Sequence, residues 1–284
     1  MIRSFFFAPA NRPDLVVKFP RFSADCCVID LEDGTPDTEK VSARDKLAET
    51  VSAARQAGVK GLLGVRVNVP DSPHYLADLE AAFKCDIDLV VIPKLEQPAQ
   101  ALPAVHWIQH GFQDAERKPF IIGGIESVRG VLNVVRICDE TPEMGAVYFG
   151  AEDFAADIGG RRTRSSDEVA TARGWVVMAA RANGLIALDQ ALLDIRDDAL
   201  YLEDAAKGRD MGYQGKICVA PAQVALANRA FSPTPEEVEY AGRLVAAYDA
   251  ALARGIGTID FEGKMVDGPL LKRSQDILAM AGGH

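Results

Sequence analysis

The sequence has no apolar run long enough to span a bilayer, and the short one from Arg3 to Ala8 falls far short of a signal-peptide core. A cytoplasmic protein with no membrane partner is expected. It also lacks a basic excess: 31 Lys and Arg stand against 41 Asp and Glu, a formal net charge of −10. Nucleic-acid binders need a broad basic face to neutralise phosphates, so no nucleic-acid partner is expected. The one dense basic cluster, Arg161, Arg162 and Arg164, reads equally as a solvated loop or as a contact for a phosphate or carboxylate. Cysteine is sparse and odd in number, with 5 residues. Cys26, Cys27 and Cys218 lie inside strand-like runs, which fits free buried thiols in a reducing compartment. Cys26 and Cys27 are neighbours on one strand and face opposite ways, which disfavours a shared metal. No Gly-x-Gly-x-x-Gly follows the first apolar run and no Gly-x-x-x-x-Gly-Lys-[Ser/Thr] appears anywhere, so the usual nucleotide fingerprints are missing.

What is present is the composition of a globular chain with a sizeable core, 48% hydrophobic and 25% charged over 284 residues. That length suits one α/β barrel of about 250 residues with an appendage. Eight apolar, β-branched runs are bounded by turn residues: Ser4 to Ala8, Cys26 to Leu31, Leu62 to Val67, Leu89 to Pro93, Phe120 to Ile125, Ala146 to Phe149, Leu185 to Leu188 and Lys216 to Ala220. Helical patterns lie between them. In Asp37 to Gln56, Asp37 can cap, Val41, Leu47, Ala48, Val51 and Ala54 form an apolar stripe, and Gly58 terminates. A second pattern, Asp167 to Asn183, closes at Gly184. This alternation predicts a parallel sheet, and eight strands close a (β/α)8 TIM barrel, over residues 1–231. After the break at Phe231-Ser232-Pro233-Thr234-Pro235, a helix over Glu236 to Arg254 presents Val238, Ala241, Leu244, Val245 and Tyr248. A Gly-rich link and a last helix to about Ala281 complete a C-terminal helical extension, residues 232–284, expected to act as a lid or a subunit-exchange arm.

Barrel enzymes keep their chemistry at the C-terminal ends of the strands. There the sequence places Asp30-Leu31-Glu32-Asp33, Arg66-Val67-Asn68, Pro93-Lys94, Glu126, Glu152-Asp153 and Asp189. Such an acidic rim repels itself unless it is protonated, paired with cations or metal-bound. His74, His106, His110 and His284 are not at strand ends, so a histidine zinc site or a Ser-His-Asp triad has little support. Oxygen-only ligands suit Mg²⁺ or Mn²⁺. Glu126 reads as a site carboxylate in preference to a helix N-terminal charge, and Asp153 likewise. Glu32 and Asp33 read equally as ligands or as partners holding Arg66 or Lys94. Arg66 reads as a substrate-carboxylate clamp in preference to a structural ion pair, and Lys94 as the partner of a carboxylate in preference to a Schiff base.

Six motifs in order, Ile29-Asp30-Leu31-Glu32-Asp33-Gly34, Arg66-Val67-Asn68, Pro93-Lys94, Ile125-Glu126-Ser127, Gly150-Ala151-Glu152-Asp153-Phe154 and Gly263-Lys264-Met265-Val266-Asp267, resemble the CitE-like branch of the HpcH/HpaI aldolase and citrate lyase family. The resemblance runs from Arg3 to about Leu278. It implies a Mg²⁺-dependent carbon-carbon lyase on a modified TIM barrel, trimeric or hexameric. Its substrate would be a 3-hydroxyacyl thioester such as malyl-CoA or citramalyl-CoA, split to an acyl-CoA and a 2-oxo acid or formed from them. A malyl- or citramalyl-CoA thioesterase, or a citrate lyase β-like subunit acting on an acyl-carrier protein, are the alternatives. Glu126 and Asp153 are then the metal ligands, with Mn²⁺ as a substitute. Arg66 faces the substrate oxygens, and Asp267 closes a neighbouring subunit's site from the tail. Glu32 and Asp33 join Arg66 and Asp267 as catalytic residues, and Lys94, Ala151 and Glu152 join Arg66 in binding substrate. Two departures leave the acyl carrier and acyl chain open: Ala220-Pro221-Ala222-Gln223 stands where many relatives have a His-Pro-Ser-Gln-type segment, and Gln190-Ala191-Leu192-Leu193 where relatives often carry an aromatic.

Overall fold

The eight apolar runs pair into one sheet in a computed structural model that describes residues 1–112 and 116–282. They are β1 (Ser4–Pro9), β2 (Cys26–Asp30), β3 (Leu62–Arg66), β4 (Leu89–Ile92), β5 (Phe120–Ile125), β6 (Met144–Phe149), β7 (Ile186–Asp189) and β8 (Gly215–Cys218). Every neighbouring pair is parallel and β8 returns to β1, so the sheet closes into a TIM barrel. The helices follow the strands: α1 (Pro13–Val16) after β1, α2 (Lys40–Asp45) and α3 (Leu47–Gln56) after β2, α4 (Tyr75–Phe83) after β3 and α5 (Leu102–Gly111) after β4. Then come α6 (Val128–Asp139), α7 (Ala151–Asp157) and α8 (Ala170–Ala182), α9 (Asp198–Met211) and α10 (Pro221–Ala230). The chain divides into two compact units, Met1–Arg229 and a second from Ala230 onward.

Side chains alternate along a strand, and in a barrel one parity fills the interior. Phe5, Cys26, Val28, Leu89, Val91, Ile122, Ala146, Tyr148, Leu188 and Ile217 form that interior cluster. The parity then fixes what emerges at the C-terminal rim. Asp30 continues Cys26 and Val28, Arg66 continues Leu62 and Gly64, Glu126 continues Ile122 and Gly124, and Tyr148 is itself inward.

Two helical expectations change in detail. The Asp37 to Gln56 pattern is two helices broken at Lys46, whose φ of −94° and ψ of 2° leave the helical region. Asp37 caps neither; it pairs with Lys40 at 2.9 Å. Val41 and Ala48 are exposed, and the buried face is Ala43, Leu47, Thr50, Val51 and Ala54. The Asp167 start is a 3-10 turn, Asp167–Val169, that leads into α8.

In the second unit, Thr234 and Glu237 form a reciprocal capping box at the start of α11 (Pro235–Leu252). The Gly-rich link leads to an antiparallel hairpin that the sequence pattern did not announce, β9 (Ile259–Phe261) and β10 (Lys264–Val266), followed by α12 (Gly268–Gly282). Its turn residues Glu262 and Gly263 have φ of 53° and 77°. Leu244, Tyr248 and Val266 make this unit's core, with Tyr240, Ile259, Phe261 and Leu271 packed on it. Among the described residues, no helix is long and apolar enough to cross a membrane.

Candidate active site

Parallel register sets Asp30 of β2 beside Arg66 of β3, and the pair meets at the barrel mouth. Arg66 Nε and one terminal nitrogen donate to the two Asp30 oxygens at 2.7 and 2.6 Å, a bidentate clamp. The other terminal nitrogen faces Glu32 Oε2 at 2.9 Å without hydrogen-bond alignment, so that contact is an ion pair only. The Phe7 ring lies 5.0 Å from the guanidinium carbon. Burial works against the charged form of Arg66, but the charge and hydrogen bonds of Asp30 outweigh it and its pKa is raised. Glu32 is raised by burial, with Arg66 and Lys94 opposing.

Glu126 follows β5 and is buried. Its Oε1 accepts the Tyr148 hydroxyl at 2.6 Å and the Lys94 backbone N–H at 3.0 Å, while Oε2 accepts no hydrogen bond from the described residues. The next helix is capped by Ser127, whose Oγ accepts from Gly130, so Glu126 is not the cap of α6. Glycine makes the approach feasible: a Cβ on Gly124 would sit 2.4 Å from both Glu126 Oε1 and the Tyr148 hydroxyl, and one on Gly150 would sit 2.6 Å from Glu126 Oε2. Burial pushes the Glu126 carboxyl up to about 7, against the Tyr148 hydrogen bond and the charge of Arg66.

Lys94 leaves β4 in the left-handed region, at φ of 51°, uncommon for a residue with a side chain. Its ammonium lies 3.2 Å from Glu32 Oε1, 3.2 Å from Asp153 Oδ1 and 3.9 Å from Asp33 Oδ2. Burial disfavours the charge, yet Glu32, Asp33 and Asp153 together raise its pKa. Asp153 lies in the first turn of α7 with its side chain 43% exposed. Its neighbour Glu152 points elsewhere, to Arg162 Nε at 2.9 Å. Arg162 also holds Glu168 and Gln190, and Arg164 meets Asp197 at 3.3 Å, so two of the clustered arginines are engaged in ion pairs. Arg161 is exposed.

A cavity of about 340 Å³ opens here, lined among others by Phe7, Asp30, Asp33, Arg66, Glu126, Tyr148, Ala151, Glu152 and Asp153. A larger one, about 670 Å³, lies toward the N-terminal strand ends around Arg55, Gly61 and Asp88. Barrel chemistry belongs to the opposite rim, so size is the poorer guide and the smaller cavity is the candidate.

Glu32, Asp33, Arg66, Lys94, Glu126, Ala151, Glu152 and Asp153 thus converge at one rim. Asp267 lies in the second unit, between β10 and α12. Of the histidines, His74 precedes α4 and His106 and His110 lie on α5, while His284 is outside the described residues. Asp189 is a correction: it is fully buried and does not join the rim. Its parity points outward from the barrel, where Arg173 holds it at 2.5 Å, Lys216 lies 3.4 Å away, and Asp204 completes the cluster. Tyr148 escaped the sequence reading, hidden inside an apolar strand, and Asp30 was placed at the rim without a role, as the first of a run of acids; strand parity is the signal that marks both.

The donor set accommodates a hard divalent cation. Glu126 offers a free oxygen and Asp153 a half-exposed carboxylate, both on the cavity. No group of three or more His, Cys, Asp or Glu among the described residues is arranged around a common metal position. Two carboxylates plus water and substrate oxygens are, however, the usual complement for Mg²⁺.

The model of the HpcH/HpaI aldolase/citrate lyase family matches residues 3–221. A Deinococcus radiodurans protein named citrate lyase subunit beta-like is 40% identical over 285 residues, covering 98% of this chain and 97% of that one. The mitochondrial citramalyl-CoA lyase of Rattus norvegicus is 32% identical, covering 98% of this chain and 86% of its own. The crystal structure of CitE from Mycobacterium tuberculosis in complex with magnesium, acetoacetate and coenzyme A aligns with a TM-score of 0.79 at 29% identity, covering 98% of this chain and 97% of that one. A closed parallel barrel with an acid-lined rim and relatives of this kind define a barrel lyase. The chain belongs to the HpcH/HpaI aldolase/citrate lyase family.

Proposed function

We propose that this chain is a Mg²⁺-dependent carbon-carbon lyase that cleaves or forms a 3-hydroxyacyl thioester such as malyl-CoA or citramalyl-CoA, giving an acyl-CoA and a 2-oxo acid. One observation carries the proposal: Arg66, locked in place by Asp30, lines the same cavity as the unpartnered Glu126 oxygen. A guanidinium has five N–H donors; two are used on Asp30, and of the remaining three, two are on the nitrogen that faces Glu32 without hydrogen-bond alignment, so substrate oxygens would share that side of Arg66 with Glu32.

Glu126 and Asp153 would hold the cation, with Mn²⁺ as a substitute; when bound it supplies Lewis-acid polarisation of the substrate carboxylate and its neighbouring oxygen. Arg66 orients that carboxylate and stabilises negative charge on the oxygen as the hydroxyl becomes a carbonyl. Tyr148 fixes the Glu126 carboxylate, and Glu32 holds Arg66 and Lys94 together. Cleavage takes one proton from the substrate hydroxyl as the C–C bond breaks and returns one to the released acyl-thioester carbon, so the two balance, and synthesis reverses both. Asp267 is assigned that transfer on the resemblance of its motif, from the tail of a neighbouring copy. Asp33, Lys94, Ala151 and Glu152 line or flank the mouth, where an acyl-CoA would enter. A trimer or hexamer is supported by exposed apolar side chains on the packed helices α6 and α8: Leu132, Val135, Trp175 and Met178.

The test is turnover of malyl-CoA and citramalyl-CoA by the purified protein, with the 2-oxo acid and acyl-CoA measured together. Both products should appear with Mg²⁺ and vanish with EDTA. EDTA-resistant turnover refutes the metal role, and release of free CoA without 2-oxo acid identifies a thioesterase. Ala220, which stands where the resemblance leads one to expect histidine, leaves the acyl carrier open, and in a second reading the acyl group is presented on a carrier protein. No turnover of any small CoA ester, with turnover of the carrier-bound one, selects it.

A further inference from the structure

One residue touches both candidate cation ligands. The Lys94 backbone N–H donates to Glu126 Oε1 at 3.0 Å while the ammonium of the same residue lies 3.2 Å from Asp153 Oδ1. Lys94 makes the two contacts from a left-handed backbone, at φ of 51°. The two contacts differ in kind. The first is made by main chain between β4 and α5; the second is made at the end of a long flexible side chain that is 32% exposed.

We infer that Lys94 competes with the divalent cation for Asp153 and so holds cation affinity down, an inference that rests on the Mg²⁺ reading above. Apart from Glu152, which Arg162 pairs, five carboxylates stand around the cavity, Asp30, Glu32, Asp33, Glu126 and Asp153, against two cations, Arg66 and Lys94, so the formal local sum is five negative less two positive, or −3. Arg66 is committed to Asp30 and Glu32. Lys94 is the cation in contact with Asp153, and a second positive charge placed on that carboxylate repels its ammonium. Glu32 and Asp33 give the ammonium somewhere to stay when it leaves Asp153, at 3.2 and 3.9 Å in the present arrangement. The lysine therefore serves as an exchangeable counter-ion. Metal entry is a swap of partners, with the backbone hydrogen bond to Glu126 unchanged. A lysine that merely orients Asp153 would act oppositely, because its removal would weaken cation binding.

Electron paramagnetic resonance of free Mn²⁺, titrated against wild type, Lys94→Met and Lys94→Arg, separates the two. Competition predicts that Lys94→Met binds Mn²⁺ about fivefold or more tightly than wild type, and that Lys94→Arg, which keeps the charge, stays near wild type. Equal or weaker binding by Lys94→Met overturns the inference. Absence of Mn²⁺ binding by both wild type and Lys94→Met refutes instead the underlying metal reading. If Lys94→Met does not fold, Lys94→Gln, which also removes the charge, takes its place in the same titration: tighter Mn²⁺ binding than wild type is expected, and equal or weaker binding overturns the inference.

Discussion

Asp30 and Arg66 are register partners on adjacent strands, joined through two short contacts of 2.7 and 2.6 Å with the Asp30 side chain only 4% exposed. Removing one member of a buried pair leaves the other charge stranded. Asp30→Ala is expected to cost about 3 kcal/mol of stability, and Arg66→Lys, which keeps the charge but loses the fork, to lower kcat/KM about a hundredfold with little loss of melting temperature. Urea unfolding and steady-state kinetics check the two halves. Unchanged kinetics for Arg66→Lys would remove Arg66 from the substrate.

Tyr148 is expected to matter through Glu126. Its hydroxyl lowers the Glu126 pKa that burial raises, so Tyr148→Phe should push that value above about 7. The acid limb of the cation-dependent activity should then move to higher pH. A pH profile measured at sub-saturating Mg²⁺, where proton and cation compete for Glu126, decides, and a limb that does not move breaks the link.

Glu126 itself destabilises the fold when charged. Its folded pKa of about 7 lies above the ordinary carboxylate value of 4.5, so its contribution is fully present below about 4.5 and is lost as pH rises through about 7. Glu126→Gln, which keeps the Tyr148 acceptor, should therefore raise the melting temperature at pH 8 in EDTA, by the equivalent of about 2 kcal/mol, and change it little at pH 4.5. It should abolish metal-dependent activity. Destabilisation at pH 8 would contradict the burial argument.

Asp153→Ala and Glu126→Ala should each abolish Mg²⁺-dependent turnover. Glu152→Ala should be milder, because Glu152 is turned toward Arg162, at 2.9 Å. Parallel assays at matched Mg²⁺ suffice, and equal losses in all three would show that the metal pair has been divided wrongly.

Much of this was legible in the sequence because buried parallel strands are nearly unbroken apolar runs, and polar residues at their ends stand out. Glu126, Arg66 and Asp153 are visible that way. Tyr148 was not, since an aromatic within such a run reads as core until strand parity turns its hydroxyl toward Glu126. Asp189 misled for the same reason: it ends an apolar run as Glu126 does, but its parity faces the outer helices and Arg173. The break at Lys46 and the Ile259–Val266 hairpin were invisible to periodicity, the first because both halves share one apolar stripe and the second because its strands span only three residues each.

The rim cluster has an order in time as well as in space. Asp30, Arg66, Lys94 and Glu126 come from consecutive strands β2 to β5, and Asp153 follows β6, so a nascent chain has made every charge of the cluster before β7 and β8 exist to close the wall. An unclosed sheet of that length carries five carboxylates against two cations with an open flank to water, where the same charges are screened. Closing the sheet brings these charges together at the mouth, and the glycines at 124 and 150 leave the space the Glu126 carboxylate takes there, since a Cβ at either position would lie 2.4 or 2.6 Å from one of its oxygens.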